Sequence, residues 1–160
     1  VAIPPDRVQD PRELREPGIG LGRDPVRTPL AWDSSINAGF SKSEPWLPLH
    51  DDWRTRNVAT QRGDPESIHS LHRELLRLRR SEPALSIGSI ELDKGSEHIL
   101  AYRRQHGGSR LQILLNLSGT ERQFPDSVAS GALLLSTLDS SPPDGWLRPD
   151  EGVILRLGAG

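Results

Sequence analysis

The sequence contains no cysteine and no methionine, only two lysines, and few aromatic residues at 4%. Lack of cysteine removes disulfide staples, thiolate zinc sites and thiol nucleophiles together, and it fits a reducing compartment such as the cytoplasm. No run of 18 apolar residues occurs, so no helix long enough to cross a bilayer is expected. Charge of one sign is also missing. The formal net charge of -2 creates no field that would recruit nucleic acid or an anionic membrane, and neither is expected as a partner. The first residues, Val1-Ala2-Ile3-Pro4-Pro5, include no initiator methionine and no basic-then-apolar leader, which reads as a start lying upstream.

The 160 residues are present in two textures. Residues 1 to 60 hold 8 of the 14 prolines and show neither a helical nor an alternating period. Three of the four tryptophans, Trp32, Trp46 and Trp53, fall inside this stretch. A loop of this length cannot satisfy its own backbone, so it is expected to pack on surface outside itself, with at least two of the tryptophans plugged into a core. Residues 65 to 80 read as one helix. Asp64 suits an N-cap and Pro65 the first helical position, and Ile68, Leu71, Leu75 and Leu78 form an apolar stripe widened by Leu76. Pro83 is expected to stop it, with Glu82 pushed towards extended geometry.

Beyond residue 85 the pattern changes to short apolar runs at 87–92, 99–103, 111–117, 132–138 and 153–157, separated by Gly, Pro and Asp clusters that include 93–95, 130–131 and 142–145. This rhythm predicts a small antiparallel β-sandwich, with the nearly unbroken runs 111–117 and 132–138 as central strands.

Chemistry-bearing motifs are sparse. Gly18-Ile19-Gly20-Leu21-Gly22 lacks the spacing and the flanking strand of a dinucleotide loop and reads as a turn. His69 and His72 stand three apart on the helix without a third ligand, so neither a metal nor any other cofactor is expected. No G-x-S-x-G elbow appears, and Ser67 and Ser70 read as helix-surface residues. The acids of the first third (Asp6, Asp10, Glu13, Glu16, Asp24, Asp33, Glu44, Asp51, Asp52) do not single out a pair for glycoside hydrolysis and read mainly as loop caps and arginine partners. Arg23, Asp24 and Arg27 form the best polar cluster. Pro25 and Pro29 stiffen the backbone around it, and a guanidinium there can donate two parallel bonds to vicinal hydroxyls or to a carboxylate. A structural Arg–Asp bridge is the competing reading.

Residues 23 to 33 (RDPVRTPLAWD), then Asn37-Ala38-Gly39-Phe40, Pro45-Trp46-Leu47-Pro48, Asn57-Val58 and Gln61, resemble the C-terminal part of α-glucosidases of the α-amylase superfamily, oligo-1,6-glucosidases and maltase-like enzymes above all. Residues 1 to 10 and 17 to 22 resemble a subset of bacterial α-glucosidases. The resemblance implies that residues 1–83 are the last βα portion of a (β/α)8 barrel, with an excursion over 1–61 bordering the active site and the helix at 65–80 as the final barrel helix. Residues 84–160 would be the appended β-sandwich. It implies an oligosaccharide substrate and an upstream barrel as the main packing partner. The family's catalytic Asp, Glu and second Asp come from earlier barrel strands, so no residue here is assigned a catalytic role. Arg27 matches the arginine that grips the non-reducing glucose, and Arg23 and Asp24 match the flanking positions. Leu30-Ala31 departs from the Met-Gln of many relatives. Hydrolysis of α-glucosidic bonds at non-reducing ends is the expected function of the parent enzyme. Trehalose synthases and sucrose isomerases share much of the pattern, and a non-catalytic sugar-binding sandwich is a third possibility.

Overall fold

The computed structural model describes residues 1–94, 96–126, 128, 131–138 and 145–158. The chain divides into two compact units, Val1–Ser70 and Leu71–Gly160.

The first unit is mostly irregular, as its proline content dictates. Short helices α1 (Pro11–Arg15) and α2 (Val58–Gly63) and 3-10 turns at Pro5–Arg7, Asp24–Val26 and Ile36–Gly39 are its regular pieces. Side chains do the joining that a ladder would do elsewhere. Arg7 donates from Nε to the Trp46 carbonyl (3.0 Å) and from Nη2 to that of Pro45, and it pairs with Glu44 at 3.1 Å. Asn57 caps α2 by accepting from Thr60 N at 2.9 Å. The backbone N–H groups of Val58 and Ala59 donate to the carbonyls of Ala31 and Trp32 at 3.0 and 2.9 Å, which stitches α2 to the tryptophan segment.

Within this chain the tryptophans are not enclosed. Trp32 is 47% and Trp46 72% exposed, and Trp53 is half-buried with Arg54 lying 4.2 Å from its ring centroid. The segment is too short of neighbouring apolar mass to enclose them. Val26, Leu30, Ile36 and Phe40 are exposed as well, while Ala38, Pro45 and Leu47 are buried.

Helix α3 spans Ile68–Ser81 and starts three residues later than expected. Asp64 accepts from Glu66 N (2.9 Å), which closes a turn around Pro65, and Ser67 Oγ then accepts from Ser70 N (3.1 Å) in the N-cap pattern. Ser67 is therefore a buried cap, and Ser70, whose N–H it accepts and whose hydroxyl donates to Asp64 O at 2.7 Å, is buried too, so neither is a surface residue. Glu82 is extended (φ -111°, ψ 97°) as Pro83 requires, and Pro83 opens a further turn, α4 (Pro83–Ser86).

The second unit contains the strands β1 (Ser89–Leu92), β2 (Ile99–His106), β3 (Ser109–Asn116), β4 (Arg122–Gln123), β5 (Gly131–Ser136), β6 (Trp146–Leu147) and β7 (Gly152–Leu157). They form a five-stranded antiparallel sheet, β1-β2-β3-β7-β5, and a separate two-stranded ladder, β4-β6. Residues 95, 130 and 142–144 of the expected turns lie outside the described residues. Strand β3 is central, as its apolar run predicts. The run at 132–138 is not: among the described residues β5 is paired on one side only, to β7, with a register shift between Leu133 and Leu135. Strand β7, which is more completely buried, takes the interior place.

Alternation places the two faces of the sheet in different cores. Ile99, Ala101, Leu114, Val153 and Leu155 pack with Leu147 and the half-buried Phe124. Leu111, Ile113 and Ile154 pack with Leu78, Ala84 and the half-buried Leu75 and Tyr102. Glu151, buried near the first core, is pushed up by burial, but hydrogen bonds from Arg148 and Ser136 outweigh that and hold its carboxyl below its ordinary value. Leu114 is fully buried, whereas Leu100 on the neighbouring strand is 41% exposed. Leu114→Ala is expected to destabilise the second unit by about 3 kcal/mol and Leu100→Ala by no more than about 1 kcal/mol, read from the thermal transition.

Candidate functional site

Arg23, Asp24 and Arg27 do come together, around a residue that the motif reading had not singled out for function. The reason is a pair of Asp-Pro steps. Asp10 precedes Pro11 and caps α1, its Oδ1 accepting from Arg12 N at 2.9 Å. Asp24 precedes Pro25 in the 3-10 turn at Asp24–Val26. The proline fixes φ after each aspartate and removes a competing donor, so each carboxylate is free to reach another segment.

Each reaches the backbone of the other's segment. Asp24 Oδ2 accepts from Gln9 N at 2.6 Å and from Asp10 N at 2.8 Å. Asp10 Oδ2 accepts from Arg23 N and Arg23 Nε, both at 3.2 Å. The same oxygen lies 4.0 Å from Arg27 Nη1, within ion-pair range though not hydrogen-bonded. Both carboxylates are withdrawn from solvent, at 2% exposure for Asp10 and 4% for Asp24. The guanidinium groups are not: the Arg23 side chain is 65% and that of Arg27 51% exposed.

Asp24 thus turns its Oδ2 inward to two backbone N–H groups. Of the three residues, Arg23 and Arg27 are the two that offer donors outward. Arg27 is anchored through its own backbone, N–H to the Asp24 carbonyl at 3.0 Å, so its fork stands on a fixed base. The hydrogen bond from Arg12 N, followed by those from Arg23, holds the Asp10 carboxyl below its ordinary value of 3.8 against the opposing effect of burial.

Neighbouring features shape the surroundings. A depression of about 470 Å³ is lined by Asp10, Pro11, Arg12, Arg15, Glu16 and Arg23. The glycine turn at 18–22 is wrapped on a carboxylate of the chain itself: Gly18 N and Gly22 N donate to Glu13 Oε1 and Oε2 at 2.8 and 3.1 Å. These two donors are taken up by the chain's own carboxylate, and Gly18 and Gly20 have positive φ (82° and 75°), as in a turn. Past the motif, Trp32 N donates to Ala38 O at 2.8 Å across a turn in which Asn37, Ala38 and Gly39 all have positive φ (54°, 55° and 64°). Asp33 sits under Gly39, where an added Cβ would lie 2.8 Å from Asp33 Oδ2, so a side chain is excluded there twice over. The Ser35 hydroxyl and N–H hold the Asp33 carboxyl below its ordinary value. His72 is exposed, and His69 is half-buried with Nδ1 unpaired.

Asp10 carried a readable signal. It is a helix-capping aspartate before proline, the same signature used to place Asp64-Pro65. What could not be read was its partner, 13 residues away in sequence.

The alpha-amylase catalytic domain family matches residues 2–88. A probable alpha-glucosidase of Rhizobium meliloti is 38% identical over 111 residues, which is 69% of this chain and 20% of that protein. An oligo-1,6-glucosidase of Parageobacillus thermoglucosidasius is 32% identical over 158 residues, 93% of this chain and 28% of that protein. Among solved structures, the trehalulose synthase of Pseudomonas mesoacidophila MX-45 superposes with a TM-score of 0.75 at 31% identity, covering 84% of this chain and 26% of that one. The chain therefore spans about a fifth to somewhat over a quarter of the length of these proteins.

Two outcomes check the clasp. In Asp24→Ala the N–H groups of Gln9 and Asp10 lose their acceptor, at a cost of about 1–3 kcal/mol, and their amide exchange should speed by tenfold or more while that of α3 is unchanged. Because folding lowers the Asp10 value, its contribution to stability is complete above 3.8 and fades as pH falls through the lower folded value. Protection of the Arg23 amide should thus persist at pH 4 and weaken only below it.

Proposed function

This chain belongs to the alpha-amylase family, and from that premise we propose that it supplies one wall of the glucose pocket of a retaining α-glucosidase. The carrying observation is Arg27. It stands in the R-T-P sequence that resembles the family's glucose-gripping arginine, with its backbone pinned by Asp24, its guanidinium within ion-pair range of a buried aspartate, and half of its side chain open to a ligand.

The chemistry follows from that placement. Arg27 presents a rigid planar fork that can donate to two hydroxyls of a terminal glucosyl unit. Arg23 extends the donor surface, while Asp24 acts through the backbone it holds and not through the sugar. The reaction itself is the double displacement of a retaining glycosidase: a carboxylate attacks the anomeric carbon as the leaving oxygen is protonated, and water then releases the sugar. The residues performing it belong to parts of the family fold that this chain does not span. No bond-making role is assigned to Asp10, Asp24 or Asp33, whose carboxylates are engaged with backbone or hydroxyl donors.

The same reading assigns residues 1–83 to the end of the (β/α)8 barrel and 84–160 to the appended β-sandwich, with the β4-β6 ladder as its second layer. The exposed apolar residues of the first unit, Val26, Ile36 and Trp46 among them, would then be covered by the rest of the barrel. A cysteine-free chain suits the cytoplasm. The substrate is an α-linked oligosaccharide with a free non-reducing glucose.

A second reading, transfer of the glucosyl unit to another sugar in place of water, is favoured by the likeness to trehalulose synthase. The sugar-binding sandwich has less support. Tyr102 and Phe124 pack against the two cores, which leaves Trp146, 41% exposed, as the open aromatic among the described strands of that unit.

In the full-length protein, Arg27→Lys should lower kcat/KM for a nitrophenyl α-glucoside by about 10- to 100-fold, since a bidentate charged donor is replaced by a point charge. A change of less than threefold would reject the assignment. Residues 1–160 purified alone should show no turnover above the buffer control. Product analysis with maltose and sucrose separates hydrolysis from transfer.

A further inference from the structure

The open aromatic ring of the second unit stands among side chains that the fold leaves unused. Strands β4 and β6 are two residues long each, with Gln123 paired to Trp146 and Arg122 to Leu147. Leu147 is fully buried in the first core, so alternation turns Trp146 to the outer side of the ladder. Gln123 stands opposite it on the same side, and Cβ atoms in such a pair lie about 5 Å apart. Both are exposed, as is Glu121, two residues before Gln123. The polar neighbours are taken up by the fold. Arg122 Nε donates to Ser118 Oγ at 3.1 Å, and Arg148 is held by the buried Glu151 at 2.8 Å. Asn116 Nδ2 donates to the carbonyls of Thr120 and Arg148, both at 2.8 Å, which braces the flanks of β4 and β6 against β3. Among the described residues, the side chains of Trp146, Gln123 and Glu121 have no such partner.

We propose that the outer face of the β4-β6 ladder is a carbohydrate-binding surface, on which a glucosyl ring of an α-linked glucan stacks against Trp146 while Gln123 and Glu121 bond its hydroxyl groups. The class of ligand rests on the α-glucosidase reading above; the surface itself does not. A pyranose has an apolar C–H face and a rim of hydroxyls, and an aromatic ring beside an amide and a carboxylate meets both. Other occupants fit less well. A protein partner needs about 800 Å² on each side, and one ring with two polar side chains offers far less. A phosphate or lipid headgroup would meet the Glu121 carboxylate, while the nearby cations Arg122 and Arg148 are both engaged. Because the ladder is braced, the ring is held in place before the sugar arrives, which lowers the ordering cost of binding. This surface would hold a glucan through inner units of its chain, whereas the pocket proposed above takes a chain end.

The test uses the full-length protein and α-cyclodextrin, a closed ring of α-1,4-linked glucosyl units, with affinity read by calorimetry. The ring has no non-reducing end, so a pocket that grips a terminal glucose has nothing to hold. The wild-type protein should bind it. Trp146→Ala should weaken binding by about tenfold or more, and Trp146→Phe, which keeps a ring, by no more than about threefold. Gln123→Ala should weaken it by about threefold or more. None of the three should change kcat/KM for a nitrophenyl α-glucoside by more than about twofold, and Arg27→Lys should leave the cyclodextrin affinity as it is. Absence of binding by the wild-type protein overturns the proposal, and so does a Trp146→Ala variant that binds as wild type. Should Trp146→Ala not fold, Gln123→Ala, at an exposed position, decides: an unchanged affinity rejects the surface. If Trp146→Ala alters the sedimentation of the protein and not its sugar binding, the face is a contact between copies and the proposal fails. Cyclodextrin binding without turnover of α-glucosides rejects the function proposed above and leaves this surface standing; turnover without cyclodextrin binding does the reverse.

Discussion

Two aspartates clasp the segments on which they sit to each other. Asp24 receives the N–H groups of Gln9 and Asp10, and Asp10 receives that of Arg23. The first unit has little else to fix its geometry, for its helices are short and its 3-10 turns isolated. A proline-rich segment cannot build a ladder, so its order comes from a small number of charged acceptors that each satisfy several donors. Charge-assisted bonds in a site withdrawn from water are stronger than neutral ones, which suits them to that task. Two other side chains tie the main chain by different chemistry: Arg7 donates to the 45–46 carbonyls, and the neutral Asn57 amide caps α2.

The clasp also explains the division of labour within the R-D-P-V-R sequence. Arginine is a donor with no acceptor capacity, and aspartate the reverse. With the aspartates turned to the main chain, the arginines are left as the exposed polar groups, carried on a frame with few remaining degrees of freedom. A sugar bound there as proposed would cost little further ordering of the protein. The exposed aromatic and aliphatic residues of the same unit belong to a surface of different character, one that depends on apolar area and not on directed bonds.

Much of this was legible in the sequence wherever a local rule governs. The five long strands lie where short apolar runs alternate with turn residues, and Glu82 is extended because a proline follows it. Failures came where tertiary context decides. An apolar run alone does not tell an edge from an interior position, so β5 was misjudged while the shorter run of β7 took the inner place. The helix start was misjudged because two caps lie in tandem, and Ser67 rather than Asp64 aligns with the first turn. In the Arg23–Arg27 cluster, the motif pointed to Arg27, which lies within ion-pair range of Asp10, and Asp10 was read only as one acid among several caps and arginine partners, which it is. Its further importance lies in contacts spanning 13 to 17 positions along the chain, and no periodicity encodes those.

The register shift in β5 has a consequence for the molecule in bulk. An outermost strand exposes a row of N–H and C=O groups, and a straight one invites another chain to add on. Slipping the pairing between Leu133 and Leu135 bends that row and breaks its regular spacing. Two chains meeting edge to edge there would match for only a few residues before falling out of step, so this margin of the sheet resists the self-templating growth that ends in fibrils.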